Sequence, residues 1–452
     1  MALPPSLTWW IAALAAAILW PVSVAVYRVY FHPLSLAQIP GPKLAALTYL
    51  YRTYFNVTGG SRYFAQIEKL HGEYGESSGA TRPPPPSAPW PMLIVARAEL
   101  AGPVVRIGPN EVHLSDSDNY EKIYYIGTKF SKSPPFYGAF GSGASAFSTP
   151  SNKVHRVRRA ALNPLFSRKK VLELEAVVQD KAKKLVDRVV SAAPTHAPVN
   201  LHDGFRAVSV DTITDYAFDA CYNLLDREDF GTDFMADVRA LGPAVWFFQQ
   251  WPFLQSVARG MPNWLAAKLS KPLGSFTRMQ EDCRKQIVTI KENLDSGEKK
   301  PVTRTTIFHQ LLNPNATEGH IVPSVDDLKD EAYVMLSAAA DTTGNAMTIA
   351  AYHVIENEDI YKKLTAELKE AFPDSSKALD FLSLEKLPYL TAVIKEGLRL
   401  AYCELYVTLG TLFRRCDDLK VYETGLEDLT YEDYFASYHP LDARRFHVIS
   451  AA

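Results

Sequence analysis

The run Ser337-Ala338-Ala339-Ala340-Asp341-Thr342-Thr343-Gly344 sets an acid and two hydroxyls among small residues. No side chain there is larger than Asp or Thr, so a flat, bulky group could lie directly against the backbone. Two further pairs stand at helical spacing. His155 and Arg159 are four apart, Glu396 and Arg399 three apart, so each pair shares one helix face. Paired cationic donors suit a carboxylate. Each motif also has a plain structural reading. Asp and Thr inside a helix compete for backbone hydrogen bonds, and the first run also suits close helix–helix packing, with Thr342 bonding back to the carbonyl of Ala338. A basic face such as His155-Arg156-Val157-Arg158-Arg159 can simply be solvated, and an exposed Glu–Arg pair is worth little.

The elements that must position these residues can be marked out. Ser324 and Asp327 form an S-x-x-D capping box, which predicts a helix over Val325 to Glu356, with Pro323 just outside it. At ~1.5 Å per residue such a helix spans about 48 Å. Lys153 to Ser167 holds His155 and Arg159 on a helix ending near Asn163-Pro164. Val104 to Ile107, a Gly108-Pro109-Asn110 turn, and Glu111 to Leu114 predict a hairpin, which alone is marginal. Leu172 to Leu294 reads as a series of amphipathic helices with an aromatic run, Trp246-Phe247-Phe248, Trp251-Pro252-Phe253-Leu254 and Trp264.

With 452 residues and 47% hydrophobic content the chain can bury a large core. A net charge of -2 gives no case for nucleic-acid binding. The four cysteines, Cys221, Cys283, Cys403 and Cys416, lack paired metal-site spacing, which argues against a zinc site or a disulfide framework. Met1 to Tyr27 carries no charge, and Leu7 to Val26 is almost continuously apolar with Trp9, Trp10, Trp20 and Tyr27 as interfacial aromatics. Residues 1–27 are therefore expected to be a transmembrane anchor rather than a signal peptide, whose basic leader is missing. Arg28, Lys43 and Arg52 then place the body on the cytoplasmic side. Residues 28–59, with Ile39-Pro40-Gly41-Pro42, read as hinge and linker before a domain over 60–452. Within it, residues 76–102 carry Arg82-Pro83-Pro84-Pro85-Pro86 and Pro89-Trp90-Pro91, a composition that does not pack into a helical domain.

The small-residue helix with Asp341-Thr342-Thr343, followed by Glu396-Gly397-Leu398-Arg399, resembles the cytochrome P450 family. These segments match its oxygen-activating helix, with Ala339 in place of the usual glycine, and its E-x-x-R helix. Tyr30-Phe31-His32-Pro33-Leu34 is typical of fungal members, and the anchor with its hinge of microsomal ones. The resemblance implies a mainly α fold with a small β hairpin or sheet, in the endoplasmic reticulum membrane with the body facing the cytosol. It implies haem as cofactor, an NADPH-dependent reductase as partner, and a lipophilic secondary metabolite of the terpenoid or polyketide class as substrate, under an aromatic lid. By the same resemblance Asp341 and Thr342 would deliver protons at the haem, and His155 and Arg159 would bind a propionate. Ala338 would lie against the cofactor, and Glu396 and Arg399 would stabilise the core. In the family the helix ending near Tyr74 runs almost directly into the strand at Val104. Residues 76–102 therefore read as an insertion, such as an untrimmed intron, with a genuine Pro-rich loop as the alternative.

One family element has no counterpart. The cysteine loop, of form Phe-x-x-Gly-x-Arg-x-Cys-x-Gly, is absent, and Ala401-Tyr402-Cys403-Glu404-Leu405-Tyr406 resembles the helix that follows it. Leu412-Phe413-Arg414-Arg415 and Tyr422-Glu423 fit the family's C-terminal end. The deletion is thus placed at the 400/401 junction, which predicts an incomplete fold and an inactive form. Cys403, one turn after Arg399 in helix, is not expected to replace the axial ligand. The alternatives are a non-catalytic membrane-anchored remnant or a mis-spliced product. Neither Leu400 nor Ala401 is a helix breaker, so a continuous helix from about Leu390 to Arg415 is expected.

Overall fold

The computed structural model describes residues 19–34, 39–74, 104–218, 220–296, 306–316, 320–397, 402–440 and 443–450. The chain divides into two compact units, residues 1–131 and 132–452. The Pro-rich stretch 76–102, the 400/401 junction and most of the expected anchor lie outside the described residues. Leu19 to Val26 is helical and runs into a π-helical turn at Tyr27–Phe31. Among the described residues no helix is long and apolar enough to cross a membrane.

In the first unit, β1 (Val104–Gly108) and β2 (Glu111–Leu114) form the expected hairpin, with Val104 opposite Leu114. It is a two-stranded sheet. Residues 28–59, read as hinge and linker, are short helical turns, several of them bonded to this ribbon. The Arg106 amide donates to the Pro40 carbonyl at 2.8 Å. Its fully buried guanidinium donates to the carbonyls of Arg28, Leu34, Gly108 and Pro109. A Cβ at Gly41 would stand 2.4 Å from the Arg106 carbonyl oxygen, so only glycine permits this approach. Arg52 closes the turn with two contacts of 2.8 Å to the Glu111 carboxylate.

The second unit is built on the 32-residue helix Val325–Glu356. Its ends match the expectation: the Ser324 hydroxyl accepts from the Asp327 amide at 3.1 Å and donates to the Asp327 carboxylate at 2.8 Å. Its main partner is the helix Leu201–Ala217, nearly all of whose residues are buried, charged ones included. The two approach closely because Gly344 faces Arg206; a Cβ there would meet the Arg206 Cγ at 2.5 Å and its Cα at 3.0 Å. The packing reading of the Asp-Thr-Thr-Gly run is thus realised in geometry.

Strands β3 (Val199–Asn200), β4 (Leu419–Tyr422) and β7 (His447–Ser450) make an antiparallel sheet in the order β3-β7-β4, while β5 (Glu432–Asp433) pairs with β6 (Ser437–Tyr438). Between β5 and β6 the chain turns with Phe435 in the left-handed region, at φ 76°.

The expectation of one helix from Leu390 to Arg415 is not met. The structure has two, Pro388–Gly397 and Tyr402–Arg415. The hydroxyls of Thr391 and Tyr406 lie 2.8 Å apart. In a continuous helix these positions would be about 22 Å apart, so the two helices must lie side by side. Leu390, Ile394, Leu405, Tyr406 and Leu409 are buried together in one core, which holds the two helices against each other.

The close approach at Gly344 sets an expectation. Gly344→Ala should destabilise the chain by about 1–3 kcal/mol through overpacking against Arg206 backbone, despite the better helix propensity of alanine. Urea titration followed by tryptophan fluorescence reads this, and an unchanged midpoint would refute the packing account.

Candidate functional site

The middle of the Val325–Glu356 helix has two sides. Ala338 and Thr342 are exposed, with Met335, Ala339 and Asn345 part-buried, whereas Ala340, Asp341, Thr343 and Gly344 face inward. The small-residue face expected to receive a flat group is therefore open. The Thr342 hydroxyl donates to the Ala338 carbonyl at 2.9 Å, one turn back. Asp341 points away from that face. Its carboxylate accepts from the Arg206 Nε at 2.8 Å, with the Arg239 Nε at 3.8 Å from the same oxygen. The adjacent acid and hydroxyl are thus divided between the two sides of the helix.

His155 and Arg159 lie on the helix Asn152–Leu162, capped by the Ser151 hydroxyl. His155 is part-buried and Arg159 exposed, its guanidinium 6.0 Å from the Phe166 ring centroid. Lys132 joins them, donating to the carbonyls of Ala146 and Phe147 at 3.1 and 2.6 Å. Burial, then Lys132 and Arg159, push the His155 imidazole below its ordinary pKa, so it is neutral at pH 7. Glu331, on the central helix, faces this basic group and accepts from the Ala146 amide at 2.7 Å. Burial raises its carboxyl, with Arg158 and Arg159 opposing. A cleft of about 370 Å³ beside this helix is lined by Val157, Arg158, Ala161, Ile321, Leu328 and Glu331, among others, but not by Thr342.

Of the pair Glu396–Arg399, Arg399 and the Glu396 side chain lie outside the described residues. Sequence reasoning missed Arg206, Arg239, Lys132 and Glu331. For Arg206 a signal existed: His202, Asp203, Arg206 and Asp211 stud the helix Leu201–Ala217 on several faces, and a helix that is both charged and central must pair its charges internally.

The haem implied by the sequence can be tested against these residues. The open Ala338–Thr342 face and the cations Lys132 and Arg159 suit a flat, carboxylated group. The iron ligand does not fit. A thiol that ligates a metal gives up its proton to do so. Burial instead pushes Cys283, Cys403 and Cys416 up to about 12 each and raises Cys221 as well. Cys403 sits in the first turn of Tyr402–Arg415, 7% exposed, with Glu404 and Glu175 opposing its ionisation further.

The Cytochrome P450 family model matches residues 98–405. A cytochrome P450 monooxygenase of Cochliobolus heterostrophus is 32% identical over 424 residues, covering 94% of this chain and 72% of the relative. The tryptophan 6-hydroxylase of Fusarium equiseti is 33% identical, covering 84% of this chain and 68% of its own length. The conidiogenone synthase of Penicillium rubens is 31% identical, covering 84% and 69%. With its small-residue helix, its basic helix and these relatives, the chain belongs to the cytochrome P450 family, alongside fungal monooxygenases.

Proposed function

We propose that this chain is a fungal secondary-metabolism P450 that, as its sequence stands, does not assemble a haem-thiolate centre. One observation carries this reading. No cysteine lies in a Phe-x-x-Gly-x-Arg-x-Cys-x-Gly loop, and Cys403, which follows the E-x-x-R segment, sits in the first turn of a helix. In relatives that keep the loop, residues at the positions of His155 and Arg159 would hold a propionate, and those at Ala338 and Thr342 would face the cofactor. The Asp341 position would assist proton delivery only if its arginine partner released it. Glu396 and Arg399 would anchor the region around the ligand loop. What this chain retains is a helical body able to bind a lipophilic molecule, without the iron chemistry. The relatives' names, a tryptophan hydroxylase and a conidiogenone synthase among them, span unlike substrates. They support a small metabolite as the molecule acted on, while its lipophilic character and an NADPH-dependent reductase as redox partner rest on the family resemblance.

We place the body on the cytosolic side of the endoplasmic reticulum membrane, following the Arg28, Lys43 and Arg52 bias after the apolar N-terminus. A second feature supports contact with lipid. Part of the aromatic run is core, since Trp246 is buried and its Nε1 donates to the Asp433 carbonyl at 2.8 Å. The rest is not: Phe253, Val257, Trp264 and Leu269 are exposed, from 59% to 65%.

Two outcomes follow. The reduced, carbon-monoxide-treated chain supplied with haem should show no Soret band at the thiolate position; such a band, abolished by Cys403→Ala, would overturn the proposal. For topology, Asn56-Val57-Thr58 and Asn315-Ala316-Thr317 are formal glycosylation acceptors. Asn56 is buried, so Asn315, which is exposed, is the informative one. It should stay unmodified in a eukaryotic host. A glycosidase-sensitive mass shift removed by Asn315→Gln would place the body in the lumen.

A further inference from the structure

Behind the Asp341 side of the central helix lies a cluster of charge of which the P450 reading uses only Asp341 and its arginine partner. Arg206, Arg239, His202 and Asp203 are all at most 5% exposed. Asp203 is matched by Arg445, which also donates to the Thr232 hydroxyl at 3.0 Å. Asp341 is matched by Arg206 at 2.8 Å. Arg239 has no carboxylate of its own: it stands 3.8 Å from the Asp341 oxygen already held by Arg206, and its Nη2 bonds the His202 Nε2. Among the described residues three guanidiniums, of Arg206, Arg239 and Arg445, thus face two carboxylates, of Asp203 and Asp341, leaving one positive charge in excess.

The hydrogen bonding points the same way. The Arg206 Nη2 and the Arg239 Nε are buried and find no hydrogen-bond partner among the described residues. A guanidinium can only donate, so the His202 Nε2 must accept from Arg239, which leaves the proton on Nδ1. That Nδ1 is also buried and unpartnered, a third unused donor. Burial and the neighbouring guanidiniums push the His202 pKa well below its ordinary value, which keeps the ring neutral and the excess charge on Arg239. Arg206 and His202 are one turn apart on one helix, and the two guanidiniums converge on a single Asp341 oxygen, so the unused donors lie close together. One unused acceptor, the Asp203 Oδ1, is also present. It cannot balance the charge, because Asp203 is already in the count.

We infer that Arg239, Arg206 and His202 form a buried site for one small monovalent anion, of which chloride is the probe. An unpaired buried charge is strongly unfavourable, whereas a bound anion neutralises it and accepts from several donors at once. A water molecule would accept the hydrogen bonds but leave the charge.

The test uses the full chain in detergent. Melting is followed at constant ionic strength while sodium gluconate is replaced by sodium chloride, and chloride binding is read by 35Cl line broadening. A saturable rise of about 2 °C is expected, with broadening reversed by bromide. Arg239→Met removes the excess charge and one unused donor, so it should abolish both effects. Equal melting in the two salts with no broadening would overturn the inference, as would chloride dependence that persists in Arg239→Met. If that variant does not fold, crystals of the natural chain grown in bromide decide the matter. An anomalous peak within hydrogen-bond distance of the Arg206 Nη2 is expected, and its absence refutes the site.

Discussion

The ion pair between Arg206 and Asp341 is the contact on which the rest of the larger unit depends. The helix Leu201–Ala217, buried on almost every side, meets the inner face of the central helix there, and Gly344 lets them meet closely enough for a 2.8 Å bond. Taking either charge out of water alone would cost several kcal/mol, so neither residue can be where it is without the other. This explains why a motif that looks chemical in sequence is half structural in space. The carboxylate holds the helix pair together, while only Ala338 and Thr342 are presented to whatever lies on the open side. Nearby groups are arranged by the same charges: His439 is lowered to about 4 by burial and by Arg239 and Arg206, and its Nε2 bonds the Arg444 carbonyl.

What the sequence made legible follows from how local each signal is. The central helix was readable to its ends because a side-chain cap three residues long marks its start. The hairpin was readable because its turn and both strands lie within eleven residues, 104–114. The sheet β3-β7-β4 was not, since β3 has two residues and its partner lies almost 250 positions away, with Val199 opposite Val448. Strands so short carry no alternation to detect. Arg206 and Arg239 were missed for a related reason: Arg206 is 135 residues from Asp341, and spacing rules report only partners on the same element. The single rod expected over Leu390 to Arg415 was misjudged because propensity is a weak prior, and a shared core sets Pro388–Gly397 and Tyr402–Arg415 side by side.

The family site is assembled from segments far apart in the chain, and each is held by its own neighbours. The basic helix keeps Lys132, Phe166 and Glu331 around it, and the central helix keeps Arg206. Neither set of contacts involves a metal ligand. A cofactor site built this way can lose its ligand loop while the flanking walls stay in place, because the walls are stabilised by protein–protein contacts. Family membership is read from the walls, which this chain keeps, whereas the chemistry of a member is read from its ligand loop.

The side-by-side placement of Pro388–Gly397 and Tyr402–Arg415 has an evolutionary consequence. Where two helices are neighbours in space as well as in sequence, the chain can leave the core and return at nearly the same point. The entropic penalty of such a detour grows only with the logarithm of its length, each doubling adding about 0.6 kcal/mol. An exon encoding a long excursion could therefore be gained or lost at this position with little strain on the packed helices. A segment of any length added between Gly397 and Tyr402 would leave the packing of the two helices in their shared core as it is.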